Sequence, residues 1–180
     1  MNYYHGDSAW ERGFLNGWAL STIVNVHSGF PVTIYNGSDA NLSGNVTAGT
    51  SAPTSGERAE LVPGENPVLS NRTAQEWFNT AAFKQNVSTS GISINGDSGR
   101  NLLRGPTFKD VDLSISRDFG LSRFKEGMAL QFRADAYNVF NIVSLSTPSG
   151  NSITAGSSTF GEILTANPMR QLQLGVRLSF

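Results

Sequence analysis

Along Gln171–Phe180, QLQLGVRLSF, apolar and polar positions alternate without exception. Leu172, Leu174, Val176, Leu178 and Phe180 form one series; Gln171, Gln173, Gly175, Arg177 and Ser179 form the other. Successive side chains of an extended chain point to opposite faces, so this stretch predicts a two-faced β-strand. Its length falls in the range of about 9–11 residues that a tilted strand needs to cross a bilayer. The same period-two pattern recurs upstream. In Val111–Asp118, Val111, Leu113 and Ile115 alternate with Asp112, Ser114 and Ser116. In Met128–Tyr137, Met128, Leu130, Phe132, Ala134 and Ala136 oppose Gln131, Arg133, Asp135 and Tyr137. Gly17–His27 places Trp18, Leu20, Thr22, Val24 and Val26 on one face, with Ile23 interrupting the polar one. Ser28–Pro31 reads as a turn, because Gly and Pro punctuate and Pro31 cannot donate to a ladder. Val32–Tyr35 is expected to carry that strand past the turn as a short hairpin.

Between these strands the periodicity disappears. From Asn36 to about Thr107, Asn, Ser, Thr, Gly and Pro dominate, and little regular structure is expected. One local signal stands out: Thr73-Ala-Gln-Glu76 before Trp77 and Phe78 has the spacing of a capping box, predicting a short helix. Asp97–Pro106 is a Gly-rich turn segment carrying Arg100 and Arg104. It is no phosphate loop, since no Lys-Ser/Thr follows it. Asn138–Pro168 is a second long polar connection, with Phe160–Gly161 and Glu162–Thr165 expected to pair near its end, whereas Phe119–Gly127 is short. Sequons at Asn36, Asn41, Asn45, Asn71 and Asn86 are read as compositional in a chain this rich in Asn, Ser and Thr. Met1–Arg12 reads as a turn or a tail.

Composition narrows the chemistry more than the fold. Hydrophobic residues make up 38% and the formal net charge is −1, so nothing favours nucleic acid or an anionic surface as a partner. Cys is absent, which removes disulfides and thiolate chemistry. No apolar run reaches the roughly 18 residues of a membrane-spanning helix. With His5 and His27 the only histidines and no nucleophile-elbow Ser, no catalytic constellation is visible and no enzyme is expected. Asp110, Asp112 and Asp118 lack the spacing of a calcium loop, so no metal and no cofactor is expected. Arg133 with Asp135, and Arg117 with Asp112, read as inner-face charge pairs that satisfy each other across neighbouring strands.

Alternation alone serves two architectures. A soluble sandwich would bury the apolar face and wet the polar one; a barrel would put the apolar face in lipid and line its lumen with the polar one. A connection of roughly 70 residues without strong structure argues against a compact soluble domain. Connections in the order long, short, long place the short hairpin and both chain ends on one side, as on the periplasmic side of an outer-membrane barrel. Aromatics then gather at both strand ends: Trp18, Phe119, Phe124 and Phe180 on the short side, Phe108, Tyr137 and Phe140 on the long side. The rival reading is a soluble all-β ligand-binding module in which Tyr35 or Trp77 meets a ligand.

The last strand also resembles the sorting signal of bacterial outer-membrane barrels, a polar–any–Gly–any–any–apolar–any–aromatic pattern filled by Gln173, Gly175, Leu178 and Phe180. In order and spacing, WFNTAAF at Trp77–Phe83, GRNLLRGP at Gly99–Pro106, DVDLSISRDF at Asp110–Phe119, LQFRADAYNVFN at Leu130–Asn141, FGEI at Phe160–Ile163 and RQLQLGVRLSF at Arg170–Phe180 resemble the end of Oar-like TonB-dependent receptors. The resemblance implies an all-β fold: the last four or so antiparallel transmembrane strands of a barrel of about 22, with long extracellular loops. Leu130, Phe132, Leu172 and Leu174 would face lipid, and Gln131, Arg133, Asp135 and Arg177 the lumen. It implies energised uptake of a scarce solute. Implied partners are outer-membrane lipid, the barrel-assembly machinery, the remaining barrel and plug of a parent receptor, and TonB through that plug. Plug, regulatory-like domain and signal peptide have no counterpart in residues 1–180, so the chain is expected to be the carboxy-terminal part of such a barrel. Four strands in lipid would leave two open edges, which costs several kcal/mol per unsatisfied backbone group.

Overall fold

The computed structural model describes residues 16–38, 57–86 and 95–180. Met1–Arg12 and the sequons at Asn41 and Asn45 lie outside them. The chain is all-β, and no α-helix occurs among the described residues. Its described residues divide into two compact units, one holding most of the long strands (within 16–26, 109–142 and 168–180) and one the connections (within 27–108 and 143–167).

The alternating stretches form the four long strands: β1 (Trp18–His27), β2 (Phe108–Gly120), β3 (Ala129–Tyr137) and β4 (Gln171–Ser179). They make one open sheet in the order β1-β2-β3-β4. β3 pairs antiparallel with β2 (Leu113 opposite Ala136, Phe119 opposite Leu130) and with β4 (Leu172 opposite Ala136, Leu178 opposite Leu130). The Asp118 amide donates to the Gly17 carbonyl at 3.0 Å, and the Thr22 hydroxyl to the Asp112 carbonyl at 2.9 Å, which sets β1 antiparallel to β2. β2 and β3 are joined by a tight turn closed by Leu121 N–H to Met128 O at 2.8 Å, with Gly127 at φ +79° supplying the left-handed residue. Directly paired residues share a face, so register fixes the sides. One carries Leu172, Leu174, Val176 and Leu178 beside Leu130, Phe132, Ala134 and Ala136, then Leu113, Ile115 and Phe119. The other carries Gln131, Arg133, Asp135, Ser114, Ser116, Asp118, Gln173 and Arg177.

Asn138 organises the end of β3. It takes φ +50°, a conformation that Asn tolerates better than most residues. Its amide N–H donates to Asp112 Oδ1 at 3.0 Å, while its side chain bonds to both the N–H and the carbonyl of Ile142 at 2.8 and 2.9 Å. One buried side chain thus ties the end of β3 to β2 and to the chain that leaves it.

The second unit corrects the expectation of little structure. Val32, Ile34, Ala59, Phe78, Ala82, Phe83, Leu103 and Ala155 form a buried cluster, with Leu61, Trp77, Ile153 and Phe160 packed on it. Phe78, Phe83 and Phe160 meet edge to face at centroid separations of 5.2–6.2 Å, the arrangement their ring quadrupoles favour. Two-residue ladders hold this core. Pro31–Val32 pairs with Leu103–Arg104, and Tyr35–Asn36 runs parallel to Thr154–Ala155. The expected hairpin over Val32–Tyr35 is therefore replaced by pairings with distant segments, because Ile34 must be turned into the core.

The helix expected after Thr73 is also absent. Thr73 does cap, accepting from the Glu76 amide at 3.1 Å. The Trp77 amide, however, donates to Gly161 O at 2.8 Å, and Ala74 O accepts from Ile163 N–H at 2.7 Å. Backbone groups that a helix would use are spent on the 143–167 connection. A 3-10 turn forms instead at Thr80–Ala82, capped by the Asn79 side chain at the Ala81 amide. Phe160–Gly161 and Glu162–Thr165 do not pair with each other; Gly161 and Ile163 bond to Trp77 and Ala74, and Thr165 O accepts from Ser146 N–H at 3.0 Å.

Asn36 is almost fully buried. It donates from Nδ2 to Ser38 O at 2.9 Å and Asn86 O at 3.0 Å, and it accepts the Asn86 amide at 2.9 Å. This pairing accounts for two of the sequon asparagines by packing. Phe78→Ala should destabilise the unit by about 3–5 kcal/mol, as expected for a buried aromatic. Limited proteolysis of residues 57–107 against denaturant checks this, with unchanged cleavage as the contrary result.

Candidate functional site: the two faces of the sheet

The polar face is a shallow cleft of about 440 Å³. Ser21 of β1, Ser114 and Ser116 of β2, and Gln131, Arg133 and Asp135 of β3 line it. Each reaches it by strand alternation. Arg133 Nε donates to both Asp135 oxygens at 2.9 Å, and Ser114, directly opposite on β2, hydrogen-bonds the same carboxylate. Gln131 Nε2 donates to Asp118 Oδ1 at 2.7 Å. Arg177 stands opposite Gln131 and exposed. Ala19, Ile23 and Tyr137 share this lining, so the face is mixed at β1 and polar along β2 and β3, where its charges are largely self-neutralised. Such a surface hydrates readily and offers hydrogen bonds without a dominant charge. No cluster of metal-ligating side chains occurs among the described residues.

The opposite face is apolar and bare. Leu172 and Leu174 are 74% and 83% exposed, with Leu20, Val24, Val26 and Val176 all above half. A sheet face of this size left in water would be an interaction or aggregation surface. Leu130 and Phe132 lie on it, Phe132 edge-on to Phe119 at 5.7 Å.

Arg117 departs from the expected pairing. Alternation puts it on the apolar face, across from Phe132, whereas Asp112 is on the polar one. The two cannot form the inner-face pair that their charges suggested. The guanidinium instead lies 4.2 Å from the centroid of Phe119 and 5.1 Å from that of Trp18, a cation–π arrangement near the short turn. The series Val111, Leu113, Ile115, Arg117, Phe119 carried that placement in the sequence.

Of the four signal-like residues, Gln173 stands opposite Asp135, Gly175 opposite Arg133 and Leu178 opposite Leu130. Phe180 follows β4, 84% exposed, with Lys125 Nζ 5.6 Å from its ring centroid. A Cβ on Gly175 would meet nothing within 4 Å, and its φ is not positive. Within this chain nothing packs against that position. Trp77 is committed to packing: its indole N–H donates to Arg104 O at 2.8 Å and Arg72 lies over its ring. Tyr35 is half-buried within its ladder. Neither is presented as a ligand-stacking surface.

A family model described as outer membrane beta barrel domain matches residues 2–173. No curated protein and no solved structure matches the chain.

Arg133 is half exposed, so its pair with Asp135 positions side chains more than it stabilises. A double-mutant cycle with Arg133→Ala and Asp135→Ala should give a coupling of about 0.2–1 kcal/mol. A folding titration measures it; a coupling several times larger would make the pair a stabilising element.

Proposed function

Because the chain belongs to the outer membrane beta barrel domain family, a membrane barrel family of the outer membrane, we propose that its sheet forms wall strands of a TonB-dependent, Oar-like receptor that takes up a scarce solute at the expense of energy. The observation that carries the barrel part is the segregation of the sheet. One face exposes a broad apolar surface, interrupted near the short turn by Arg117, and the other carries a row of Ser, Gln, Asp and Arg. In lipid, every backbone donor and acceptor must be met by a neighbouring strand. The open edges at β1 and β4 thus require further strands, which the remaining barrel of a parent receptor supplies. The receptor part rests on the ordered motif series from Trp77 to Phe180.

In this reading Leu130, Phe132, Leu172 and Leu174 face lipid, and Gln131, Arg133, Asp135 and Arg177 face the lumen. The short turn between β2 and β3 is periplasmic and the long connections are extracellular, the usual asymmetry of such barrels. Gln173, Gly175, Leu178 and Phe180 act before folding, as a strand that pairs with the edge of the assembly machinery. Main-chain bonds supply affinity in that mode and alternate side chains supply specificity. The reading involves no catalysis and no cofactor. A soluble ligand-binding module is not favoured, since it leaves the apolar face without a cover.

Energy coupling is tested by solute uptake with and without a protonophore. Loss of receptor-dependent uptake is expected, and undiminished uptake would identify a passive pore. Leu174→Arg, placed mid-strand, should cost about 2–4 kcal/mol in a folding titration in lipid, and Gln173→Arg far less; equal costs would contradict the face assignment. Deleting Phe180 should lower the folded, heat-modifiable fraction in outer membranes, whereas Ser179→Ala should not. Equal fractions would remove the signal assignment and leave the barrel.

A further inference from the structure

A second cavity, of about 220 Å³, lies within the unit formed by the connections. His27, Phe30 and Phe108 make its aromatic wall. The His27 and Phe108 rings stack at 5.0 Å with planes 16° apart, and Phe30 tilts against His27 at 5.2 Å. Ser146, Thr147 and Asn167 make its polar wall. Phe30 is 60% exposed although it sits on a firmly held backbone. Its carbonyl accepts the Gly105 amide at 2.9 Å, the adjoining Pro31–Val32 pairs with Leu103–Arg104, and a Cβ at Gly29 would collide with the Gly105 carbonyl. The ring is therefore displayed by a rigid segment while remaining largely uncovered.

The polar wall is equally defined. The Asn167 N–H and Nδ2 both donate to Ser144 O, at 2.8 and 3.0 Å, which fixes the amide and leaves its Oδ1 as an acceptor. Among the described residues, the hydroxyls of Ser146 and Thr147 have no hydrogen-bond partner. His27 Nδ1 bonds to the Ser28 carbonyl at 3.0 Å. A carbonyl can only accept, so Nδ1 carries a proton. No Lys, Arg, Asp or Glu lines the cavity.

We infer that this cavity binds one ring of a neutral, polyhydroxylated solute, a pyranose unit, with its C–H face on Phe30 and its hydroxyls on Ser146, Thr147 and Asn167. A ring with one apolar face and a hydroxylated rim fits a wall of aromatic rings opposed by small hydroxyl and amide groups. An anion would find no Lys or Arg there, and a purely apolar ring would leave the Ser146 and Thr147 hydroxyls and Asn167 Oδ1 unmatched. Exposed aromatic rings on a rigid support lose little entropy on binding, which makes a shallow site of this kind workable. The inference deepens the uptake reading by naming a solute class. Its experiment reads binding alone, so failure of energy coupling would leave it standing.

The test uses the full chain folded in detergent micelles, titrated with methyl β-D-glucopyranoside and followed by saturation-transfer NMR. Glucose 6-phosphate and cyclohexanol serve as the charged and the unhydroxylated ring. Saturation is expected for the glycoside, strongest on its ring C–H protons, with both comparison rings at least about tenfold weaker. Phe30→Ala should weaken the glycoside about tenfold, and Phe30→Tyr should preserve it, since a face contact with one ring is all that is removed. Thr147→Val should weaken it severalfold. Near-UV circular dichroism confirms that each variant is folded, and a variant that loses the folded signal is replaced by Phe30→Leu, which must show the same loss of affinity. Absence of saturable glycoside binding, equal binding of cyclohexanol, or indifference to loss of the Phe30 ring would each overturn the assignment.

Discussion

The register of β3 against its two neighbours is the constraint on which the sheet depends. From Gln171 opposite Tyr137 to Ser179 opposite Ala129 the β3–β4 ladder has no bulge, and β2 continues the same pairing from Leu113 to Gly120. A slip of β3 by one residue would carry Leu130 and Phe132 to the polar side and Arg133 and Asp135 to the apolar one. In a bilayer that exchange is prohibitive, because charged groups would lose water and apolar ones would gain it. In the proposed barrel, lipid would enforce this register, and the register makes a surface that suits lipid. The Asn138 side chain, bonded at the end of β3, holds the same alignment from the sheet's own end.

The connections obey a different economy. Polar composition usually signals a solvated loop, yet two segments far apart in sequence share one small apolar core and close it with hydrogen bonds between them. Phe78, Phe83 and Phe160 supply bulk that the abundant Ser, Thr and Asn cannot. Buried polar residues such as Asn36 are tolerated because their bonds are made locally. A connection built this way can hold side chains in fixed positions, as a recognition surface requires, which a solvated loop does with difficulty.

Strands were legible and the connection core was not, for one physical reason. Alternation is a local signal, and the expected strands at Gly17–His27, Val111–Asp118, Met128–Tyr137 and Gln171–Phe180 differ from the observed ones by a few residues at most, with β2 starting earlier at Phe108. Val32, Ile34, Phe78 and Leu103 have no such period, since they meet through two-residue ladders whose partners lie dozens of residues away. Thr73 shows the limit of local reasoning. Its cap forms, but the Trp77 amide goes to Gly161 and the helix never starts. Arg117 shows the reverse error: pairing by charge suggested Asp112, whereas simple alternation placed it among Trp18 and Phe119. The His27–Phe30–Phe108 wall carried no sequence signal beyond three scattered aromatic rings.

Lipid contact by one face of the sheet is the claim on which the functional account stands, and the absence of cysteine makes it directly measurable. Single cysteines placed in turn from Gln171 to Ser179, spin-labelled after reconstitution of the chain into outer-membrane lipid, report collisions with oxygen in lipid and with a nickel chelate in water. The account predicts a period-two oscillation: oxygen contact at positions 172, 174, 176 and 178, and nickel contact at the positions between them. Uniform access to the nickel chelate along the strand, or an oscillation of opposite phase, would contradict it.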